Sequence, residues 1–132
     1  MFAGSFLRKR EIVLDSALLG DADERARILV HELFHFVWLR LGNADRASWG
    51  AVLEIERGSR ARGELGWSSQ WRKQALPGGL WRDYVCESFC DTAAWMYAEL
   101  QNHAEFTLAA RWCQKRKQWF EASIGARLSV RV

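Results

Sequence analysis

Ile28-Leu29-Val30-His31-Glu32-Leu33-Phe34-His35-Phe36-Val37-Trp38-Leu39 is the most apolar run of the chain. It decides both the fold and the chemistry. The run repeats apolar residues at helical spacing, with Ile28, Leu29, Leu33, Phe36, Val37 and Leu39 too dense for a surface helix. Asp21 followed three residues later by Glu24 makes a capping box ahead of it, and Gly42 supplies a stop. The expectation is a helix over 22–41 at the centre of the fold. The run is too short and too charged to cross a bilayer, so no membrane association is expected.

Outward from this helix, Arg10-Glu11-Ile12-Val13-Leu14-Asp15 reads as one strand, short and rich in branched side chains. Residues 47–57 fit neither the helical nor the strand period, and their element stays open. Residues 58–79 hold five glycines, the sole proline and the cations Arg60, Arg62, Arg72 and Lys73, and read as a long irregular stretch bordering a site. Helices are expected over 80–102 and from Glu105 or Phe106 to Ser123, ahead of Gly125. The last of these places Trp112, Trp119 and Phe120 toward the protein and Arg111, Lys115, Arg116 and Lys117 toward water.

The chain has 132 residues, 49% hydrophobic and 27% charged, with 8 Trp and 7 Phe. That suits one globular domain over 1–132 with an aromatic core, and excludes disordered or collagen-like classes. Three cysteines and no apolar leader point to a reducing, cytoplasmic setting with the thiols packed inside. Charge is uneven: residues 1–56 sum to −2 and residues 57–132 to +5. A modest basic face of this kind is ordinary solvated surface, so nucleic acid is not the expected partner. Nothing in the sequence sets the oligomeric state.

The chemistry lies in His31-Glu32-Leu33-Phe34-His35, a HExxH motif. On a helix the two imidazoles project from one face and can meet one Zn²⁺, leaving Glu32 beside it as a carboxylate free to carry a proton. A chain of this composition produces HExxH by chance roughly 0.005 times. A catalytic zinc usually takes three protein ligands, and His103 and the later carboxylates are the candidates for the third. Glu87 and Asp91 stand four apart in an otherwise apolar stretch of the expected 80–102 helix. Glu87 suits the third ligand position, and Asp91, one turn on, suits an acceptor for the outer ring N–H of His31 or His35. Cys86 and Cys90, also one turn apart, point about 100° away from the neighbouring carboxylates and read as packing residues.

HExxH followed on a later helix by Glu-x-x-x-Asp resembles the thermolysin-like gluzincin metallopeptidases, in the size range of the small minigluzincins. The matching residues are His31, Glu32, His35, Glu87 and Asp91, and the resemblance covers about Arg10 to Ala98, including a short strand at Glu11 to Leu14 before the active-site helix. It implies an α+β, helix-dominated zincin-like domain with a small sheet. It also implies one Zn²⁺ on His31, His35 and Glu87, with Asp91 orienting a histidine. The activity it implies is hydrolysis of a peptide or protein substrate through metal-activated water with Glu32 as general base, the peptide lying antiparallel along the edge strand. The family's oxyanion-stabilising Tyr and His have no local motif here; Tyr84 and His103 are the residues of the right type for an oxyanion or substrate contact. The alternative is a non-catalytic zinc-binding regulatory or interaction domain of the same fold. A third reading is a basic nucleic-acid-associated protein whose HExxH is incidental.

Overall fold

The computed structural model describes the backbone of residues 3–6, 11–14 and 22–23, and backbone with side chains for 24–76, 78–98 and 105–125. The quoted run lies inside helix α1, Ala22–Arg40, close to the expected bounds. Its end is closed by Leu41, whose N–H donates to the Val37 and Trp38 carbonyls. Gly42, in an extended conformation, then opens helix α2, Asn43–Gly58. The segment left open over 47–57 is therefore helical. Its buried positions are Trp49, Leu53 and Glu56, a helical stripe whose third member is a carboxylate. A hydrophobic period cannot be read where a core position is filled by Glu.

Within 58–79, expected to be irregular, the structure has a short helix α3, Trp67–Gln74. Helix α4 runs Trp81–Tyr97, and helix α5 runs Ala110–Ser123, starting later than the Glu105 or Phe106 expected. The expected cap Asp21 lies outside the described residues, as does His103.

The α+β expectation is overturned: the fold is all-α. Among the described residues, helices α1 to α5 supply the packed core. The strands among the described residues are β1, Ala3–Phe6, and β2, Glu11–Leu14, an antiparallel ribbon pairing Ala3 with Leu14 and Phe6 with Glu11. β2 is the strand expected over 10–15. A two-stranded ribbon touching α1 is not a layer on which helices can bury a face, so it sets no architecture.

The central helix is α4 rather than α1. It packs on α1, α2 and α3, and Tyr84, Val85 and every residue from Ser88 to Ala94 are buried. Helix α1 instead leaves Leu29, Leu33 and Leu39 exposed. The core is aromatic: Phe89 stacks on Phe120 at 5.1 Å between ring centroids and meets Trp49 edge-on at 6.1 Å, with Phe34 at 5.8 Å. Trp49 also donates its indole N–H to the Val85 carbonyl at 3.1 Å, so its polar atom is satisfied inside the core. Truncating such a ring to alanine costs about 3–5 kcal/mol. A second cluster gathers Leu65, Leu108 and Trp112. Not every tryptophan packs inside: Trp67 and Trp71 of α3 are exposed.

Between the clusters lies a buried ionic group that helical patterning does not reveal. Arg116, expected on the wet face of α5, is 0% exposed. Its Nε and Nη2 donate to the two oxygens of Glu56 at 2.8 and 2.7 Å. Nη1 and Nη2 donate to those of Glu64 at 2.9 and 3.1 Å, and Nη1 also reaches Thr92 Oγ1 at 3.1 Å. All five guanidinium donors are used, which is what makes burial of the cation tolerable.

Candidate metal centre

HExxH spacing places His31 and His35 one turn apart on α1, and α4 crosses that face with Glu87 opposite both. His31 Nε2 lies 3.0 Å and His35 Nε2 3.6 Å from the same atom, Glu87 Oε2. The two imidazole rings meet edge-on at 5.1 Å between centroids. Donor atoms bound tetrahedrally at about 2.0–2.1 Å stand roughly 3.3 Å apart, so both separations suit one small ion between them. Glu87 is only 13% exposed, and apart from the two imidazoles its buried Oε2 has no partner among the described residues. A buried carboxylate oxygen needs positive charge beside it, which either protonated imidazoles or a shared cation supplies.

Behind the donors, Asp91 is 1% exposed. Its Oδ1 accepts from His31 Nδ1–H at 2.7 Å. A carboxylate can only accept, so this bond keeps a proton on Nδ1, and once the ring is neutral, as a metal ligand must be, the Nε2 lone pair is the one toward Glu87. The other oxygen, Oδ2, accepts the Ser69 backbone N–H at 2.9 Å and the Ser69 hydroxyl at 2.6 Å. Ser69 is the third residue of α3, so Asp91 caps this helix from outside, a role its own cap residue, Gly66, has no side chain to fill. Glu105 does the same for Trp67 N–H at 2.6 Å and pairs with Arg27 of α1 at 2.8 Å. A Cβ on Gly66 would stand 2.3 Å from Asp91 Cγ, so only glycine lets the carboxylate come this close.

The charges follow from these contacts. Burial opposes protonation of His31, yet Asp91 and Glu87 outweigh it and raise its pKa to about 10. His35 is raised to about 9 against burial, through Cys86 and Glu87. Burial would push the Glu87 carboxyl up, but the two imidazoles hold it far below the usual carboxylate range. Glu87 and Asp91 thus favour positive charge between α1 and α4.

His31, His35 and Cys90 also bring one donor atom each within 4.8 Å of one another. Burial pushes the Cys90 thiol well up, and Cys86 adds to that, so it stays protonated where Glu87 is already an anion. Glu87 is the better third donor. Cys90 is buried as expected, whereas Cys86 is only partly buried and lies with Sγ 3.8 Å from His35 Nδ1. Cys113, also partly buried, donates to the Leu108 carbonyl at 3.4 Å. All three are free thiols.

Glu32 is buried on α1 directly after His31. Tyr84, in contrast, is turned away from an oxyanion role: its hydroxyl donates to Glu64 Oε2 in the Arg116 cluster, and its ring is buried. Its pKa is pushed up by burial and by Glu64. The Ser69 hydroxyl lies 3.3 Å from Glu64 Oε1, so this cluster and the Asp91 contacts meet at one serine.

Arg72 was visible in the sequence only as one cation of an irregular stretch. On α3 it stands one turn after Ser68 and reaches the centre, with Nη2 3.6 Å from Glu87 Oε1. Only a helical reading of residues 67–74 brings it there.

No family model, curated protein or solved structure matches the chain. Among the described residues, no helix is long and apolar enough to cross a membrane.

Proposed function

We propose that the protein is a zinc-dependent peptidase of the HExxH type, with His31, His35 and Glu87 as ligands and Glu32 as general base. The observation that carries this is the convergence of His31 Nε2 and His35 Nε2 on the otherwise unbonded Glu87 Oε2. A nitrogen-rich three-donor set suits Zn²⁺ and leaves its fourth position open. When bound there, zinc supplies a Lewis acid that polarises a carbonyl and lowers the pKa of water.

The chain's own residues do the rest. Asp91 holds His31 in the tautomer whose Nε2 lone pair faces the centre. As water oxygen attacks the scissile carbonyl carbon, Glu32 takes the water's proton and delivers it to the leaving amine nitrogen as the C–N bond breaks. A purely structural zinc would have no use for a carboxylate directly after a ligand in the sequence. The substrate class, a peptide or protein, rests on the resemblance to the gluzincin peptidases. The free thiols of Cys86, Cys90 and Cys113 support a cytoplasmic location.

The test is Glu32→Gln, which keeps size and hydrogen bonding but cannot take the proton. The variant is expected to bind zinc like wild type and to lose turnover of a mixed peptide library, read by mass spectrometry, by at least about a hundredfold. Turnover unchanged in this variant would remove Glu32 as the base. One observation favours the alternative of a non-catalytic zinc-binding interaction domain: the Tyr84 hydroxyl is committed to Glu64. That alternative expects bound zinc and no cleavage in wild type.

A further inference from the structure

Arg72 is the cation beside the centre, and its donors are only partly used. Nη1 donates to the Ser68 carbonyl and lies within hydrogen-bond distance of the Ser68 hydroxyl, both at 3.1 Å, which pins the guanidinium to its own helix. Among the described residues Nε and Nη2 make no hydrogen bond; the approach of Nη2 to Glu87 Oε1, at 3.6 Å, is an ion pair too long to be one. The side chain is 42% exposed while Glu87 is 13% exposed, so the guanidinium lies on the solvent side of the Glu87 carboxylate.

Arg72 differs in this from its neighbour. Lys73 is spent on the Gly63 carbonyl at 2.9 Å and on Glu64 at 3.5 Å. A pinned guanidinium with an unused planar edge matches a carboxylate, which it can hold through two parallel N–H donors. On the same helix Trp67 and Trp71 are one turn apart, and Trp71 is 67% exposed.

We infer that Arg72 is a substrate-binding residue that takes a carboxylate of the peptide, either the α-carboxylate at its C-terminus or an Asp or Glu side chain close to the scissile bond. This rests on the zinc-peptidase reading and narrows its substrate class to peptides with a negative charge near the cleaved bond. Arg72 pins the peptide on the solvent side of the centre, while Glu32 acts at the carbonyl.

The experiment is calorimetric titration of the full-length zinc-loaded protein, with zinc content measured on each sample. Three probes are used: N-acetyl-phenylalanine, carrying only an α-carboxylate; N-acetyl-aspartyl-phenylalanine amide, carrying only a side-chain carboxylate; and N-acetyl-phenylalanine amide, carrying neither. At least one carboxylate probe is expected to bind tenfold or more tightly than the amide, and which one does so identifies the source of the charge. Arg72→Ala should weaken that probe on the order of tenfold to a hundredfold, leaving the amide and the zinc content unchanged. Arg72→Lys, a point charge without the fork, should fall between. Carboxylate binding in Arg72→Ala within twofold of wild type, or no preference for a carboxylate in wild type, overturns the assignment. Wild type that holds no zinc overturns the centre itself, and the metal content tells the two failures apart.

Discussion

Four residues of separation on α4 set two carboxylates against opposite nitrogens of one imidazole. Glu87 faces both imidazoles, and Asp91 reaches behind His31 to its other nitrogen. Asp91→Asn keeps an oxygen that can accept from Nδ1–H but removes the charge, so zinc affinity should fall about 10–100-fold, read by competition with a chromophoric chelator. Cys90→Ser should leave affinity within about twofold, because its thiol is held neutral. This placement was legible in the sequence because helical geometry fixes what i and i+4 can share. Tyr84 was not: its partner Glu64 lies on another element, and no local spacing announces that contact.

At the scale of elements, α3 is the piece sequence periodicity could not find. Its eight residues, Trp-Ser-Ser-Gln-Trp-Arg-Lys-Gln, bury only Ser69, and its two large apolar side chains face outward. The helix is held instead by carboxylates from elsewhere, Asp91 on Ser69 N–H and Glu105 on Trp67 N–H. A signal existed in Gly66, whose φ of 179 is open to any residue but whose missing Cβ makes room for Asp91. Gly66→Ala should therefore push Asp91 off both α3 and His31. The expected result is a loss of about 0.5–2 kcal/mol of stability in denaturant titration together with at least about tenfold weaker zinc binding. A variant that loses stability but binds zinc as wild type does would break the link between α3 and the centre. The opposite failure of pattern occurs in α2, where Glu56 occupies a core position and hides the helical stripe.

Across the whole molecule, the Arg116 cluster joins α2, α4, α5 and the segment before α3, linking residues up to 60 positions apart. Arg116→Met would leave Glu56 and Glu64 as buried anions and should cost about 3–5 kcal/mol, a large part of a typical domain's stability. Burial alone would push the Glu64 carboxyl up, but Arg116, Tyr84 and Lys73 outweigh it and hold it below its ordinary 4.5. The stability this contributes is present in full above about pH 4.5 and is lost as pH falls through the lower folded-state value. Glu64→Gln should therefore flatten the fall in melting temperature below pH 4.5, compared with wild type. The arginine's place could not be read from α5, because an amphipathic pattern assigns every cation to water. The all-α architecture was half legible for a related reason: helices α1, α4 and α5 and the strand β2 were readable, α2 and α3 were not, and the small sheet of the α+β expectation was inferred only from resemblance. What stayed local, HExxH and Glu-x-x-x-Asp, carries the central claim of one zinc on His31, His35 and Glu87. The most direct measurement is elemental analysis of the purified protein beside Glu87→Gln and Cys90→Ser. About one zinc per chain in wild type and Cys90→Ser, lost or sharply weakened in Glu87→Gln, is the predicted result; no zinc in wild type after supplementation, or zinc that departs with Cys90 and stays without the Glu87 carboxylate, would contradict it.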